Sequence, residues 1–232
     1  MVYLMGEKPL IGILMLNTNF HRLKGDIGNP ETYSFPVAYQ VVDHATTDRV
    51  VKLGDTRLIE PFVTEAKELE NKGVKAITTS CGFLALFQKE IQRELRVPFY
   101  SSSLIQIPMV QQITGGIVGV ITARRTSLTQ THLQGVEAHH TPIAIAGMDD
   151  MPAFTNAIVK ETIDLDIKAI ACEMQQVASS LLAENPMVKA IILECTNMPP
   201  YKSALREVTS LPIFDINTLT EYVAYGLSNF KV

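Results

Sequence analysis

One stretch of this chain is written twice. Glu70-Asn71-Lys72-Gly73-Val74-Lys75-Ala76-Ile77-Thr78-Thr79-Ser80-Cys81 is matched by Glu184-Asn185-Pro186-Met187-Val188-Lys189-Ala190-Ile191-Ile192-Leu193-Glu194-Cys195, at a constant offset of 114. The match runs on without a gap to Pro98 and Pro212, each of which opens a short apolar run. Near the start of each half, Leu10–Leu14 and Ile117–Ile121 share a pattern that includes a glycine, Gly12 and Gly119, at an offset of 107. A chain of 232 residues built this way fits two similar units of about 110 residues. Each unit presents one cysteine directly after an apolar strand and before a helix.

Apolar runs of strand length alternate with amphipathic stretches. That order predicts an α/β fold with mostly parallel sheets flanked by helices, arranged as two pseudo-symmetric domains. Gly115-Gly116 marks the junction. The expected division is residues 1–114 plus 216–232 for the first unit and 115–215 for the second, with an active-site cleft between them. Strands are expected at Leu10–Leu16, Val37–Val42, Val50–Leu53, Val74–Thr79, Val97–Ser101, Ile117–Ile121, Thr141–Ala146, Val188–Leu193 and Pro212–Phe214. Helices are expected at Pro61–Lys72, Leu84–Leu95, Thr126–Glu137 and Thr218–Asn229, and after Ser102 and Pro199. The helix over Thr162–Glu184 has the clearest period, with Ile163, Ile167, Ile170, Met174, Val177 and Leu181 on one stripe. Residues 20–36 have no usable period and are punctuated by Gly25, Gly28, Pro30 and Pro36, which marks a candidate active-site flap.

Several function classes are disfavoured early. A net charge of −4 advertises no basic face for nucleic acid. No apolar stretch is long enough to span a membrane, and Glu7, Lys8 and Pro9 interrupt the apolar start. Three cysteines without a C-x-x-C or Cys/His cluster predict neither a disulfide framework nor a metal site. A cytoplasmic protein is the expectation, with a C2 homodimer as the base-rate assembly.

A free cysteine is most often a small buried hydrophobe. Two at the same place in two repeats point instead to a shared role. A helix start after each sulfur favours the thiolate and offers amide donors to a carboxylate. Two sulfurs facing one small carboxylate across a cleft suit two-base chemistry, in which one removes the proton from the α-carbon and the other returns a proton to the opposite face. Such a reaction needs no cofactor. Cys81 and Cys195 are therefore the candidate catalytic pair. Gly82 and Phe83 follow the first, Thr196 and Asn197 the second, and these are candidate substrate contacts. Asn17 and Thr18 join them, since they lie where the first strand opens into the cleft. Cys172 lies mid-helix and is given no role. Arg49 and Arg124 are candidate carboxylate clamps. His139-His140 reads as a turn, Asp43-His44 as divergent side chains, and Asp149-Asp150 as a helix cap.

With strand, cysteine and helix at these positions and Cys195-Thr196 in the second half, the chain resembles the aspartate/glutamate/hydantoin racemase superfamily over nearly its whole length. The stretch Thr122-Ala123-Arg124-Arg125-Thr126 is similar to that family's Ala-Thr-Arg-Gly-Thr turn, with Arg124 and Thr126 matching. The resemblance implies a cofactor-independent isomerase, a racemase or epimerase of amino acids, with Cys81 and Cys195 as its acid/base pair. It departs at Cys81-Gly82-Phe83, where family members carry Cys-Asn-Thr. It departs again at Leu16-Asn17-Thr18, where glutamate racemases carry Asp-Ser-Gly, and at Asn197, where they often have His. The other readings are an isomerase of a small unsaturated or hydantoin-like carboxylate on the same scaffold, and a non-catalytic carboxylate-binding protein.

Overall fold

The computed structural model describes residues 9–227. The expectations that touch residues 1–8 and 228–232 lie outside the described residues. Two parallel four-stranded sheets form the framework. The first contains β1 (Ile11–Leu16), β2 (Val37–Val42), β3 (Ala76–Thr79) and β4 (Phe99–Tyr100), in the order β2-β1-β3-β4. The second contains β5 (Ile117–Thr122), β6 (Ile143–Gly147), β7 (Val188–Leu193) and β8 (Ile213–Phe214), in the order β6-β5-β7-β8. The order is the same in both halves, as the repeat predicts. Among the described residues eight α-helices accompany the strands: α1 (Ile59–Asn71), α2 (Gln88–Gln92), α3 (Ile107–Thr114), α4 (Gln130–Gly135), α5 (Pro152–Phe154), α6 (Ile167–Glu184), α7 (Lys202–Arg206) and α8 (Ile216–Leu227). Among the described residues, no helix is long and apolar enough to cross a membrane.

The shared glycine of each half has a packing reason. A Cβ on Gly12 would lie 2.9 Å from Leu69 Cδ1, and one on Gly119 would lie 3.0 Å from Leu181 Cδ2. So β1 and β5 each leave room for a leucine of the helix that covers them, α1 or α6. Close packing of this kind tolerates no added methyl without movement.

Local chemistry explains most helix ends. Pro61 sits in the first turn of α1, where its missing amide costs nothing, and Gly73 follows the helix at φ +87°. Ser102 accepts from the Leu104 amide and starts a 3-10 turn, so Pro108 falls in the first turn of α3 and imposes no kink. Gly115 ends α3 in the left-handed conformation at φ +68°.

Other segments depart from expectation. Val50–Leu53 is no strand, since Asp48–Lys52 forms a π-helical turn that buries Val50 and Val51. Leu84–Leu95 is not one helix but a 3-10 turn over Gly82–Phe87 followed by α2. The period from Ile163 is helical only from Ile167, because Asp166 caps α6 by accepting from the Ala169 amide. Ile163 and Ile167 are consequently exposed, while Ile170, Met174, Val177 and Leu181 are buried.

One continuous buried cluster runs from Leu14 and Phe62 beside the first sheet to Ile191 and Ile213 in the second. The closing helices cross over. α3 packs on β5 and β7, whereas Ile216, Leu219 and Ala224 of α8 pack with Ile11, Ile13 and Met15 of β1. Between the halves, α4 rests on the 82–87 turn, so closely that a Cβ on Gly135 would fall 2.0 Å from the Ala85 carbonyl oxygen. Gly135→Ala is therefore expected to destabilise the fold by about 1–3 kcal/mol, the usual range for overpacking. A urea melt monitored by circular dichroism checks this, and an unchanged midpoint would show that the contact yields freely.

Candidate active site

Each strand that carries a cysteine ends in the same way. The Ser80 amide donates to the Leu14 carbonyl at 2.8 Å, and the Glu194 amide donates to the Ile121 carbonyl at 2.8 Å. The cysteines come next, both buried. Thr196 Oγ1 donates to the Ser80 carbonyl at 2.7 Å, and Ser103 Oγ donates to the Leu193 carbonyl at 2.7 Å, so the two strand ends are tied to each other. The result brings Cys81 and Cys195 to one small cavity, lined by residues from both halves.

Of the residues singled out in the sequence, Cys81, Cys195, Thr18, Gly82, Phe83 and Asn197 line this cavity. Asn17, Arg124, Thr126 and Thr196 do not. The Asn17 amide is spent on the Ala45 carbonyl, and the Thr196 hydroxyl on Ser80. Arg124 Nε donates to Thr126 Oγ1, which donates to Asp149 Oδ1, and these three line a neighbouring hollow together with Lys160. Arg49 pairs with Asp55. Among the described residues no group of three or more His, Cys, Asp or Glu side chains is arranged to hold a metal ion.

Three charged residues at the site went unmarked in the sequence. Arg22 and Asp26 come from the aperiodic 20–36 segment, which folds into the site. Arg22 Nη1 donates to Asp26 Oδ1 at 2.9 Å, Arg22 Nη2 donates to Thr18 Oγ1 at 2.8 Å, and the guanidinium lies 4.5 Å from the Phe20 ring centroid. Asp26, although outside the lining itself, is only 2% exposed and accepts from the Gly28 amide and from Asn197 Nδ2 at 2.7 Å. Asn197 Oδ1 in turn accepts from Cys195 Sγ at 3.4 Å. A single hydrogen-bonded chain thus runs Cys195, Asn197, Asp26, Arg22, with a thiol at one end and the cavity's cation at the other. The third is Glu194, fully buried beside both sulfurs. Its signal was a charged residue standing between a buried strand end and a cysteine.

The thiols are held neutral. Burial pushes both well above the ordinary thiol value, and the Glu194 carboxyl adds to the push. The amides of Phe83 and Leu84 partly offset this at Cys81, and the Asn197 amide does so at Cys195. The expectation that helix starts would favour the thiolate is therefore outweighed by desolvation through burial. Burial also raises the Glu194 carboxyl to about 7, against hydrogen bonds from Thr122 and Ala123.

The arrangement sets one guanidinium and two thiols around the same cavity. In fold it is the aspartate/glutamate racemase type, as the resemblance implied. Aspartate racemase from Picrophilus torridus superposes with a TM-score of 0.60 at 14% identity, covering 94% of each chain. Unliganded arylmalonate decarboxylase does so with a TM-score of 0.60 at 12% identity, covering 97% of this chain and 94% of that one. No family model matches the sequence.

Sequence relatives narrow the picture differently. A dimethylsulfoniopropionate lyase of Durusdinium sp. clade D is 29% identical over 225 residues, 93% of this chain and 74% of its own length. Dimethylsulfoniopropionate lyase 6 of Emiliania huxleyi is 28% identical over 250 residues, 99% of this chain and 64% of its own length. These relatives overturn the expectation of an amino-acid racemase, and of an isomerase generally, because they are named as lyases. The physical reason is plain. Two sulfurs beside a carboxylate serve any reaction that begins by removing the α-proton. Whether a proton then returns, or a leaving group departs from the next carbon, is decided by the substrate.

Proposed function

We propose that this protein is a lyase that cleaves dimethylsulfoniopropionate into dimethyl sulfide and acrylate. The observation that carries the proposal is the similarity to dimethylsulfoniopropionate lyases over more than nine-tenths of the chain. The cavity is compatible with it. Arg22 and Thr18 meet the carboxylate. A thiolate takes a proton from the carbon beside it. The electron pair left behind forms the carbon–carbon double bond as the bond from the β-carbon to the sulfonium breaks, and sulfur leaves as a neutral thioether. The proton on the thiol returns to water. The substrate brings its own cation into a site whose thiols are kept neutral by burial and by Glu194, and that positive charge lowers the cost of forming the thiolate.

One proton is removed and none is delivered to the opposite face, so one base suffices. Cys195 is assigned that role. Its sulfur is joined through Asn197 and Asp26 to the guanidinium that holds the carboxylate, which fixes the distance from base to α-carbon. Incubating the purified protein with dimethylsulfoniopropionate and following dimethyl sulfide by gas chromatography, with acrylate by liquid chromatography, tests the proposal. Both products should appear in equal amounts. No release of either would refute it.

A further inference from the structure

Glu194 does one thing its counterpart does not need to do. In the first half Ser80 Oγ accepts the Leu16 amide at 2.9 Å. At the equivalent place in the second half, Glu194 Oε2 accepts from the Ala123 amide at 3.5 Å and from Thr122 Oγ1 at 2.8 Å. A serine meets this structural demand with one oxygen. The glutamate has a second, Oε1, which is buried without a hydrogen-bond partner. That oxygen lies over Gly82, where a Cβ would come within 2.2 Å of it, and Glu194 lines the thiol cavity. A buried carboxylate oxygen with no partner is costly unless a positive charge comes to meet it.

The cation in the cavity lining, Arg22, is already shared between Asp26 and Thr18. The rest of the lining is largely apolar, with Phe20, Phe83, Val51, Ile158 and Val159. Such a surrounding offers few hydrogen-bond acceptors for an ammonium with N–H groups. It suits an onium centre whose charge is covered by methyl groups, which asks for a counter-ion and for aromatic faces instead.

We infer that Glu194 is the specificity-determining residue for the cationic end of the substrate, its free oxygen being the counter-ion of a methylated onium head while Arg22 takes the carboxylate. The inference rests on the lyase reading of the same cavity and names how that site tells a zwitterion from a plain carboxylate. The charged and titratable groups facing Glu194 are Cys81 from the first half, Cys195 beside it, and the Arg22–Asp26 pair from the 20–36 segment. Burial keeps both thiols neutral, and Arg22 and Asp26 offset one another. Glu194, raised by burial to about 7, is then the group whose charge changes in the neutral range. A cation binds its ionised form, so affinity for the cation is full above that value and falls about tenfold per pH unit below it.

The test uses two unreactive ligands of one shape, 3-(trimethylammonio)propionate and 4,4-dimethylpentanoate, which differ in a nitrogen cation against a neutral carbon. Their dissociation constants are measured by calorimetry on the full chain at pH 6 and pH 8. At pH 8 the wild type should prefer the cation by about tenfold or more, the worth of one charge-assisted contact, and at pH 6 most of that preference should be gone. Glu194→Gln should bind both ligands alike at both pH values, with affinity for the neutral ligand retained. An unchanged preference in Glu194→Gln, or equal binding of the two ligands by the wild type at pH 8, would overturn the inference. Should the variant not fold, the wild type decides alone, because a preference that does not move between pH 6 and pH 8 overturns it equally. The lyase reading fails separately, on absence of dimethyl sulfide release. A protein that prefers the onium ligand yet releases no dimethyl sulfide would keep the role of Glu194 and lose only the substrate.

Discussion

Cys195→Ser is expected to lower the rate of dimethyl sulfide release by about a thousandfold or more, within or beyond the range usual for loss of a general base. Serine keeps the shape and the hydrogen bond to Asn197 but cannot give up its proton at neutral pH. Cys81→Ser is expected to cost much less, about tenfold. The asymmetry is the informative part. An enzyme that inverts a carbon needs an acid on one face and a base on the other, so either loss is severe. An elimination removes one proton and is finished with it. Cys81 has backbone amides near its sulfur but is not joined to Arg22 through side chains as Cys195 is. Single-turnover rates of the two variants decide the matter. If Cys81→Ser is the dead variant and Cys195→Ser the impaired one, the base has been assigned to the wrong half.

Arg22→Ala should produce a double effect, one on affinity and one on stability. Losing a charge-assisted contact to the substrate carboxylate costs about 1.5–3 kcal/mol, which appears as KM higher by about ten- to a hundredfold. Asp26 simultaneously loses its ion-pair partner at a site 2% exposed, although the Gly28 amide and Asn197 still donate to it. That leaves a destabilisation of about 1–3 kcal/mol. The two effects separate in the double variant with Asp26→Asn. Removing the stranded charge should recover much of the stability but none of the affinity. Arg22→Lys should fall between, since it keeps the charge and loses the fork that spans Asp26 and Thr18. Urea melts and steady-state kinetics on the same preparations check both parts. A KM that stays put in Arg22→Ala would remove the carboxylate from this guanidinium.

How much of this was legible depended on what kind of order each residue obeys. The repeat, the parallel sheets and the convergence of Cys81 and Cys195 follow from periodicity and spacing, which are local and survive without coordinates. Gly12 and Gly119 were visible as a pair, though not the leucines that fill the space above them. Arg22 and Asp26 were hidden because their segment has no period, and only folding brings it against Asn197. Glu194 was in plain view, one place before Cys195 and 114 after Ser80. It lies between the expected strand and the cysteine and was given no role, so the difference between one oxygen and two was passed over. Arg124 and Thr126 misled in the opposite direction, since a motif fixes the turn but not which hollow the turn faces. The proposed reaction was the least legible of all, because a pair of sulfurs suggests how a proton is taken and says nothing about whether a group then leaves.

The strand order has a further consequence, for the making of the protein. Every ladder in both sheets is parallel, so no neighbouring strands are joined by a tight hairpin. Each pairing must wait for a long crossover to close, and chains dominated by such distant contacts fold slowly. The thiol cavity draws on both sheets, and the closing helix of each half packs on the other. Neither half therefore completes this cavity by itself.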